Sequence, residues 1–424
     1  MNLTYLNGGN LKKGVDFVVL NDTHPFVQPG AATIAFEASE ILSASFDVEF
    51  WCASAKVIPL DLTSPTGVRI RMLKTKPWVN KVLAKRTYLM AYSEFLNFHR
   101  LSWLTFNLIT IRPKILWIHQ IGNQFPRTVI LFAKLLNIKV IQTLHDFSPV
   151  APGKIYPADI GIGASCFENS AEQDLFREIK TSSLKQGRLF SRFLRFRRFL
   201  IRFLFNHVNV VFAISQMQRD VLGLFGFVNL VVLPNGIAPC TCPLEDRVNQ
   251  SNAAPRILFA GRAIGKGLER LLEAISKTSD VHVVLAGESN LNDLALRILP
   301  ADRVHYEGVL SRNEIFSLIH GVDAVAVLSE CFDVFPTITL ESIAHGTQVV
   351  TTLNTGNASF SKKTTGITCV LPGKNDELLM RFIHSLGQRD SSKISFENPF
   401  PRPEQQIKLA LEVLKEKTGF YLFL

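Results

Sequence analysis

The chain has no run of about 18 consecutive apolar residues, the length a helix needs to span a bilayer, so no membrane-spanning helix is expected. Its first residues, Met1 to Lys13, are polar and lack the apolar stretch of a secretion leader. Cysteine is sparse, with six residues at 52, 166, 240, 242, 331 and 369. Cys240 and Cys242 have one residue between them, unlike the Cys-x-x-Cys of a zinc or redox site, and no second pair follows. Reduced, structural thiols in a cytoplasmic protein are therefore expected. No Asp-x-Asp occurs, so no obvious carboxylate pair holds a metal, and no cofactor is expected. Gly161-Ile-Gly163 lacks the third glycine of a dinucleotide fingerprint. There is also no tandem repeat and no recognised nucleic-acid-reading module, and no nucleic-acid partner is expected.

What is present fits a globular chain with large buried sheets: 424 residues, 47% hydrophobic and 19% charged. That length is about twice what one core supports, so two α/β domains are predicted. Short apolar runs alternate with longer amphipathic stretches. Val15–Leu20, Val48–Trp51, Ile115–Ile118, Val140–Leu144 and Val208–Ile214 read as strands of a first parallel sheet. After Leu233-Pro-Asn-Gly236 comes a polar stretch, 238–255, expected to link the domains. The pattern then restarts with Ile257–Ala260, Val281–Leu285, Val322–Leu328, Gln348–Thr351 and Thr368–Leu371. The predicted organisation is an N-terminal Rossmann-like domain over 1–237, the linker, a C-terminal Rossmann-like domain over 256–400, and a helix within 401–424 crossing back toward the N-domain. Ligands of doubly wound sheets sit beyond the carboxyl ends of the strands, which puts the site in the interdomain cleft.

Two segments carry chemistry there. In Phe259-Ala-Gly-Arg-Ala-Ile-Gly-Lys-Gly267, Arg262 and Lys266 follow a strand and precede a helix, within reach of a diphosphate. A solvated loop with two ordinary basic residues would read the same way. In Asp333-Val-Phe-Pro-Thr-Ile-Thr-Leu-Glu341, the N–H groups from Val334 to Ile338, of which Pro336 has none, are expected to open a helix and receive a phosphate. Asp333 could bind sugar hydroxyls and Glu341 a ribose diol. The alternatives are a helix N-cap for Asp333 and a solvated face for Glu341. Two acids and two bases converging on one cleft favour a nucleotide-sugar.

In its motifs the chain resembles the retaining GT-B glycosyltransferases of the large family 4-like group, which includes bacterial mannosyltransferases, sucrose synthase and lipopolysaccharide core transferases. The matching pieces run in the family's order: Pro29-Gly-Ala-Ala32, Thr143-Leu-His-Asp-Phe147, Phe212-Ala-Ile-Ser215, Leu233-Pro-Asn-Gly236, Gly261-Arg262 to Lys266-Gly267, and Asp333 to Glu341-Ser-Ile-Ala-His-Gly346. The resemblance implies a GT-B fold and roles position by position. Arg262 and Lys266 would hold the donor diphosphate, Asp333 the donor sugar and Glu341 the ribose. Thr337 joins Val334 and Phe335 in the donor-binding segment. His145 would stand beside the donor sugar, Gly30 would leave room for donor and acceptor, and Gly308 would lie in the nucleoside-contacting loop. Three departures from the family's pattern stand out: Asp333 where Glu is commoner, a tight spacing of Arg262 and Lys266, and a single glycine in the first loop. His119 reads mainly as structural, and Asp146 as a residue that orients its loop.

The implied activity is transfer of a sugar from a nucleotide-diphosphate donor to a glycan or lipid-linked acceptor, with retained configuration, in surface polysaccharide biosynthesis. A sugar-nucleotide epimerase or hydrolase on the same fold, or an inactive binding subunit, are the alternatives.

The net charge of +10 is local in origin. Seven basic residues lie between Lys185 and Arg202, and no acid occurs from Ile179 to Arg219. Helical spacing puts Arg188, Arg192, Arg195 and Arg198 on one side, beside a stripe of Leu189, Phe193, Phe196, Leu200 and Phe203. Either the stripe packs on the N-domain with the arginines solvated, or the helix meets anionic lipid at the inner membrane face.

Overall fold

The computed structural model describes residues 4–5, 14–25, 30–54, 61–75, 92–150, 188–237, 254–261, 265–371, 376–386 and 398–420. Nearly all of the 238–255 stretch, and Arg262, lie outside these residues.

Two sheets organise the chain, each crossed by helices. The first contains β1 (Thr4–Tyr5), β2 (Phe17–Thr23), β3 (Val48–Ser54), β4 (Asp61–Thr63), β5 (Arg69–Lys74), β6 (Ile115–Ile118), β7 (Lys139–Leu144), β8 (Val210–Ala213) and β9 (Leu230–Val232). Their spatial order is β1-β4-β5-β3-β2-β6-β7-β8-β9. The seven strands from β5 to β9 are parallel, whereas β1 and β4 pair antiparallel. The antiparallel edge departs from the all-parallel expectation for a local reason. Only residues 64–68 join β4 to β5, too few for a crossover. Gly67 closes that turn at φ 90° and donates to the Ser64 carbonyl.

Strand β5 also escaped the sequence reading, because Arg69 and Arg71 interrupt its apolar residues. Both donate to Glu49 on β3, at 3.2 and 3.1 Å, and Glu49 also accepts from the Trp51 indole at 2.8 Å.

The second sheet is parallel throughout, in the order β12-β11-β10-β13-β14-β15. Its strands are β10 (Arg256–Gly261), β11 (His282–Gly287), β12 (Val304–Gly308), β13 (Ala324–Val327), β14 (Gln348–Thr352) and β15 (Ile367–Val370). This is the Rossmann order, in which the strand order reverses between β10 and β13.

The helices are α1 (Ala31–Ser43), α2 (Phe98–Ile111), α3 (Val129–Leu135), α4 (Arg188–Phe205), α5 (Gln216–Leu224), α6 (Leu268–Ser276), α7 (Asn290–Leu296), α8 (Arg312–His320), α9 (Thr337–Ala344), α10 (Glu377–Leu386) and α11 (Pro403–Thr418). Helix α11 lies on the first sheet, where Ile407, Ala410 and Leu414 join Phe17, Val19, Phe50 and α1 in one core. At its start the Gly236 amide donates to Gln406 at 2.8 Å, and Ile237 donates to the Pro401 carbonyl. Two Rossmann-like layers thus face each other in the GT-B arrangement.

Helix α4 corrects one expectation. Phe196 and Phe203, which would be buried if the stripe packed on the N-domain, are exposed together with Phe199, between 46% and 59%. The buried side is Arg197, Ile201, Leu204 and Phe205. An ion pair sets that rotation: Arg197 donates to both oxygens of Glu94, at 2.6 and 2.7 Å, and to the carbonyl of Ser148. Arg192 and Arg195 are exposed, while Arg198 sits with its guanidinium 5.1 Å from the Phe225 ring centre. The side chain of Arg188 lies outside the described residues.

Candidate active site

The carboxyl ends of both sheets bring most of the singled-out residues to facing walls. On the C-terminal wall, Lys266 follows β10 and Asp333 follows β13, the two strands that flank the switch point. Lys266 Nζ forms an ion pair with Asp333 Oδ2, and Ser329 Oγ donates to the same oxygen at 3.2 Å. Neither charge is a loose surface group. The two loops are also fastened by main chain, since the Glu330 amide donates to the Gly265 carbonyl at 3.0 Å. Gly267 is required where they cross: a Cβ there would lie 2.1 Å from the Leu328 carbonyl oxygen, at a φ of 74°.

The N-cap reading of Asp333 does not hold, because the residue before α9 is Pro336. The solvated reading of Glu341 fails as well: the residue is 8% exposed. Burial raises its carboxyl above the ordinary range, and Arg312, 3.3 Å away, pulls it back. Val334 and Phe335 are buried, and the Phe335 ring packs against Phe360 and Phe400. Contrary to the expectation, Val334 and Phe335 both precede α9, which begins at Thr337, so their amides do not open the helix, and what they can offer a ligand is backbone. Thr337 begins α9 and is partly exposed. Gly308 ends β12 at φ 75°, a conformation glycine tolerates best.

On the N-terminal wall, Gly30 precedes α1 with φ 90° and ψ −117°, again a glycine conformation. His145 follows β7. Its Nε2 lies 2.9 Å from Nδ1 of His119, which follows the neighbouring β6. Burial pushes His145 down to about 4 against the pull of Asp146, and holds His119 well below its ordinary value, with His145 adding to that. Both imidazoles are therefore neutral near pH 7. His119 Nε2 is buried without a hydrogen-bond partner. An orphaned acceptor costs less than an orphaned N–H, so the His119 proton belongs on Nδ1, donated to His145. The remaining His145 proton is then on Nδ1.

Sequence reasoning missed the groups that brace this wall. Asp22 is fully buried and accepts from the amides of Asn123, Gln124 and Phe125, fixing the loop after β6. Glu94 binds both Arg127 and Arg197, and those arginines reach Ser148 Oγ and the Ser148 carbonyl. Asp146 orients its own loop as expected, accepting from the Ser148 amide at 2.8 Å. The two walls meet where the Phe147 and Phe332 rings stand 6.3 Å apart, one residue from Asp333.

Residues 244–390, which span this C-terminal wall, match the family Glycosyl transferases group 1. No curated protein sequence matches the chain. Among solved structures, a sucrose-phosphate synthase from Thermosynechococcus elongatus superposes with a TM-score of 0.62 at 13% identity, covering 95% of this chain and 97% of that one. HepE from Anabaena, in complex with UDP and glucose, gives 0.56 at 14% identity, with 95% of each chain covered. A glycosyltransferase from Rickettsia africae gives 0.60 at 15% identity, covering 97% of this chain and 100% of that one. These likenesses establish the GT-B fold over nearly the whole chain.

Proposed function

We propose that the protein moves a sugar from a nucleotide-diphosphate donor to a glycan or lipid-linked acceptor, with retention of anomeric configuration. The observation that carries this reading is the set of Lys266, Asp333 and Glu341 at the switch point of the second sheet, opposite His145 and the Gly30 turn. HepE, which shares the fold, holds UDP and glucose, and that supports a nucleotide-sugar as the donor.

In this reading the diphosphate lies against Lys266, Arg262 and the amides opening α9. Breaking the anomeric bond places negative charge on the leaving diphosphate, and cations already seated against it once the donor is bound stabilise that charge. The diphosphate competes with Asp333 for Lys266, which frees Asp333 for the sugar hydroxyls. Glu341 takes the ribose hydroxyls, Gly308 lies by the nucleoside, and Gly30 leaves space for the incoming groups. His145, neutral and with its position fixed by His119, offers a hydrogen bond to the sugar without adding charge.

The acceptor side belongs to the N-terminal domain, and the exposed Phe196, Phe199 and Phe203 beside Arg192 and Arg195 suit the surface of an anionic membrane. That placement accords with a lipid-carried acceptor in surface polysaccharide assembly. Among the described residues no helix is long and apolar enough to cross a membrane.

A panel of nucleotide-sugars tests the reading. Nucleoside diphosphate released only when an acceptor is present supports transfer. Release without acceptor, or an epimerised donor, supports a hydrolase or epimerase instead, and binding without turnover supports an inactive subunit.

A further inference from the structure

The Glu341 carboxylate has an ion partner that the proposed chemistry does not use. Arg312, the first residue of α8, reaches Glu341 Oε1 through Nε at 3.3 Å. Its Nη1 forms a second ion pair with Glu37 Oε1, on α1 of the opposite wall. The face of the same guanidinium lies over Phe316, 5.3 Å from the ring centre. Three elements thus hold one planar group: α9, α1 and the next turn of α8. An arginine fixed in this way has little rotational freedom left, unlike a solvated side chain.

Glu341 by itself would be a poor hydroxyl acceptor. Burial is the largest influence on its carboxyl and favours the neutral form, and Glu37 pushes the same way. A neutral carboxyl keeps one oxygen as a donor and loses the double acceptance that suits a pair of adjacent hydroxyls. The Arg312 charge opposes both effects. The other nearby titratable groups, His320 and His345, pair with each other at 2.7 Å at the far ends of α8 and α9.

We propose that Arg312 is a positioning residue for the donor nucleotide: held from across the cleft by Glu37, it fixes the Glu341 carboxylate in the geometry and charge that the ribose diol requires. This rests on the ribose role of Glu341 given above, and it adds that the nucleotide seat is assembled from both walls. Glu37 supplies no contact to the nucleotide; it fixes the direction of the guanidinium.

The test is calorimetric binding of UDP, GDP, ADP and CDP to the full chain, followed by the tightest of them against its 2′,3′-dideoxy form. Variants are Arg312→Gln, Arg312→Lys, Glu37→Gln, Glu341→Gln and the double Arg312→Gln/Glu341→Gln, each checked for an unchanged melting temperature. Arg312→Gln and Glu341→Gln are each expected to weaken the ribonucleotide about ten- to hundred-fold, the effect of losing one charged hydrogen bond. The double variant is expected to be no worse than the weaker single one, because the two act through one contact. Binding of the dideoxy form should be unchanged by either. Lysine should restore part of the loss, and Glu37→Gln should weaken binding a few-fold in the same direction. In Arg312→Gln, Glu341 protonates at a higher pH, so the acid limb of binding moves upward.

Wild-type affinity in Arg312→Gln, tighter binding, equal loss for both nucleotides, or additive effects would each overturn the proposal. If Glu341→Gln is itself silent, or no diphosphate binds the wild type, the ribose assignment falls first and this inference with it. A weakened Glu341→Gln beside a silent Arg312→Gln removes the inference alone.

Discussion

The two walls of the cleft handle charge in opposite ways. On the N-terminal wall the charges are sealed: Asp22 is fully buried against three amides, and Glu94 sits between Arg127 and Arg197, both about as buried as core leucines. On the C-terminal wall the Lys266–Asp333 pair is reachable, with side-chain exposures of 30% for Lys266 and 18% for Asp333. A sealed pair is too costly to open and serves as scaffold. A reachable pair can exchange its partner for a ligand at little cost, because water and the ligand both compensate the charge. The C-terminal wall is where the chemistry is expected, and the N-terminal wall is where the geometry is held.

The contrast is broken most severely at Glu94. Glu94→Gln leaves two buried arginines without a counter-charge, and denaturant unfolding should show a loss of about 3–5 kcal/mol. A loss near zero would mean that water already reaches the network. At Lys266 the opposite pattern is expected: Lys266→Ala should fold normally yet lower transfer by about 100-fold or more, and Arg262→Ala should do likewise. Near-normal turnover in both would remove the diphosphate assignment.

The N-terminal domain also has an outward face to set against its sealed interior. The protein should co-sediment with anionic vesicles and not neutral ones, and high salt should release it, because exposed charges are screened beyond about 8–10 Å. Each basic residue near such a surface contributes roughly 1 kcal/mol. Replacing Arg188, Arg192, Arg195 and Arg198 by Gln should abolish sedimentation while nucleotide binding persists. Undiminished sedimentation would leave α4 as a packing element only.

A milder comparison uses acid. His24 and His145 are held down to about 4 and His119 well below 6.5, all mainly by burial. The unfolded chain takes up these protons first as pH falls, so their contribution is complete above pH 6.5 and declines from there toward about 4. Melting temperatures from pH 7.5 to 4.5 should show that fall, and His145→Gln should flatten it. The smallest effect concerns metal. If Lys266 and Arg262 supply the cationic charge, turnover in excess chelator should stay within a few-fold of the untreated value; abolition reversed by magnesium or manganese would refute that.

Much of the C-terminal wall is legible in short stretches of sequence. The strand runs, the glycine turn around Lys266 and the Asp333–Glu341 segment are local patterns, so residue types at strand ends announce both the site and its chemistry. Strand β5 is hidden because Glu49 neutralises its arginines from the neighbouring strand. The inward face of α4 is hidden for the same kind of reason. Phenylalanine outranks arginine on any hydrophobic count, yet Arg197 is the residue turned inward.

The sequence alone determined the α/β alternation, the two Rossmann-like halves and the identity of the acids and bases at their strand ends, because backbone periodicity and turn chemistry act over a few residues. Only the tertiary structure decided who partners whom. Arg197 meets Glu94 across 103 positions of chain, and Arg312 meets Glu37 across 275. Such pairs obey no spacing rule. They form where folding brings distant opposite charges together, sealed from water for Arg197 and Glu94 and partly exposed for Arg312 and Glu37, an arrangement no local stretch of sequence contains.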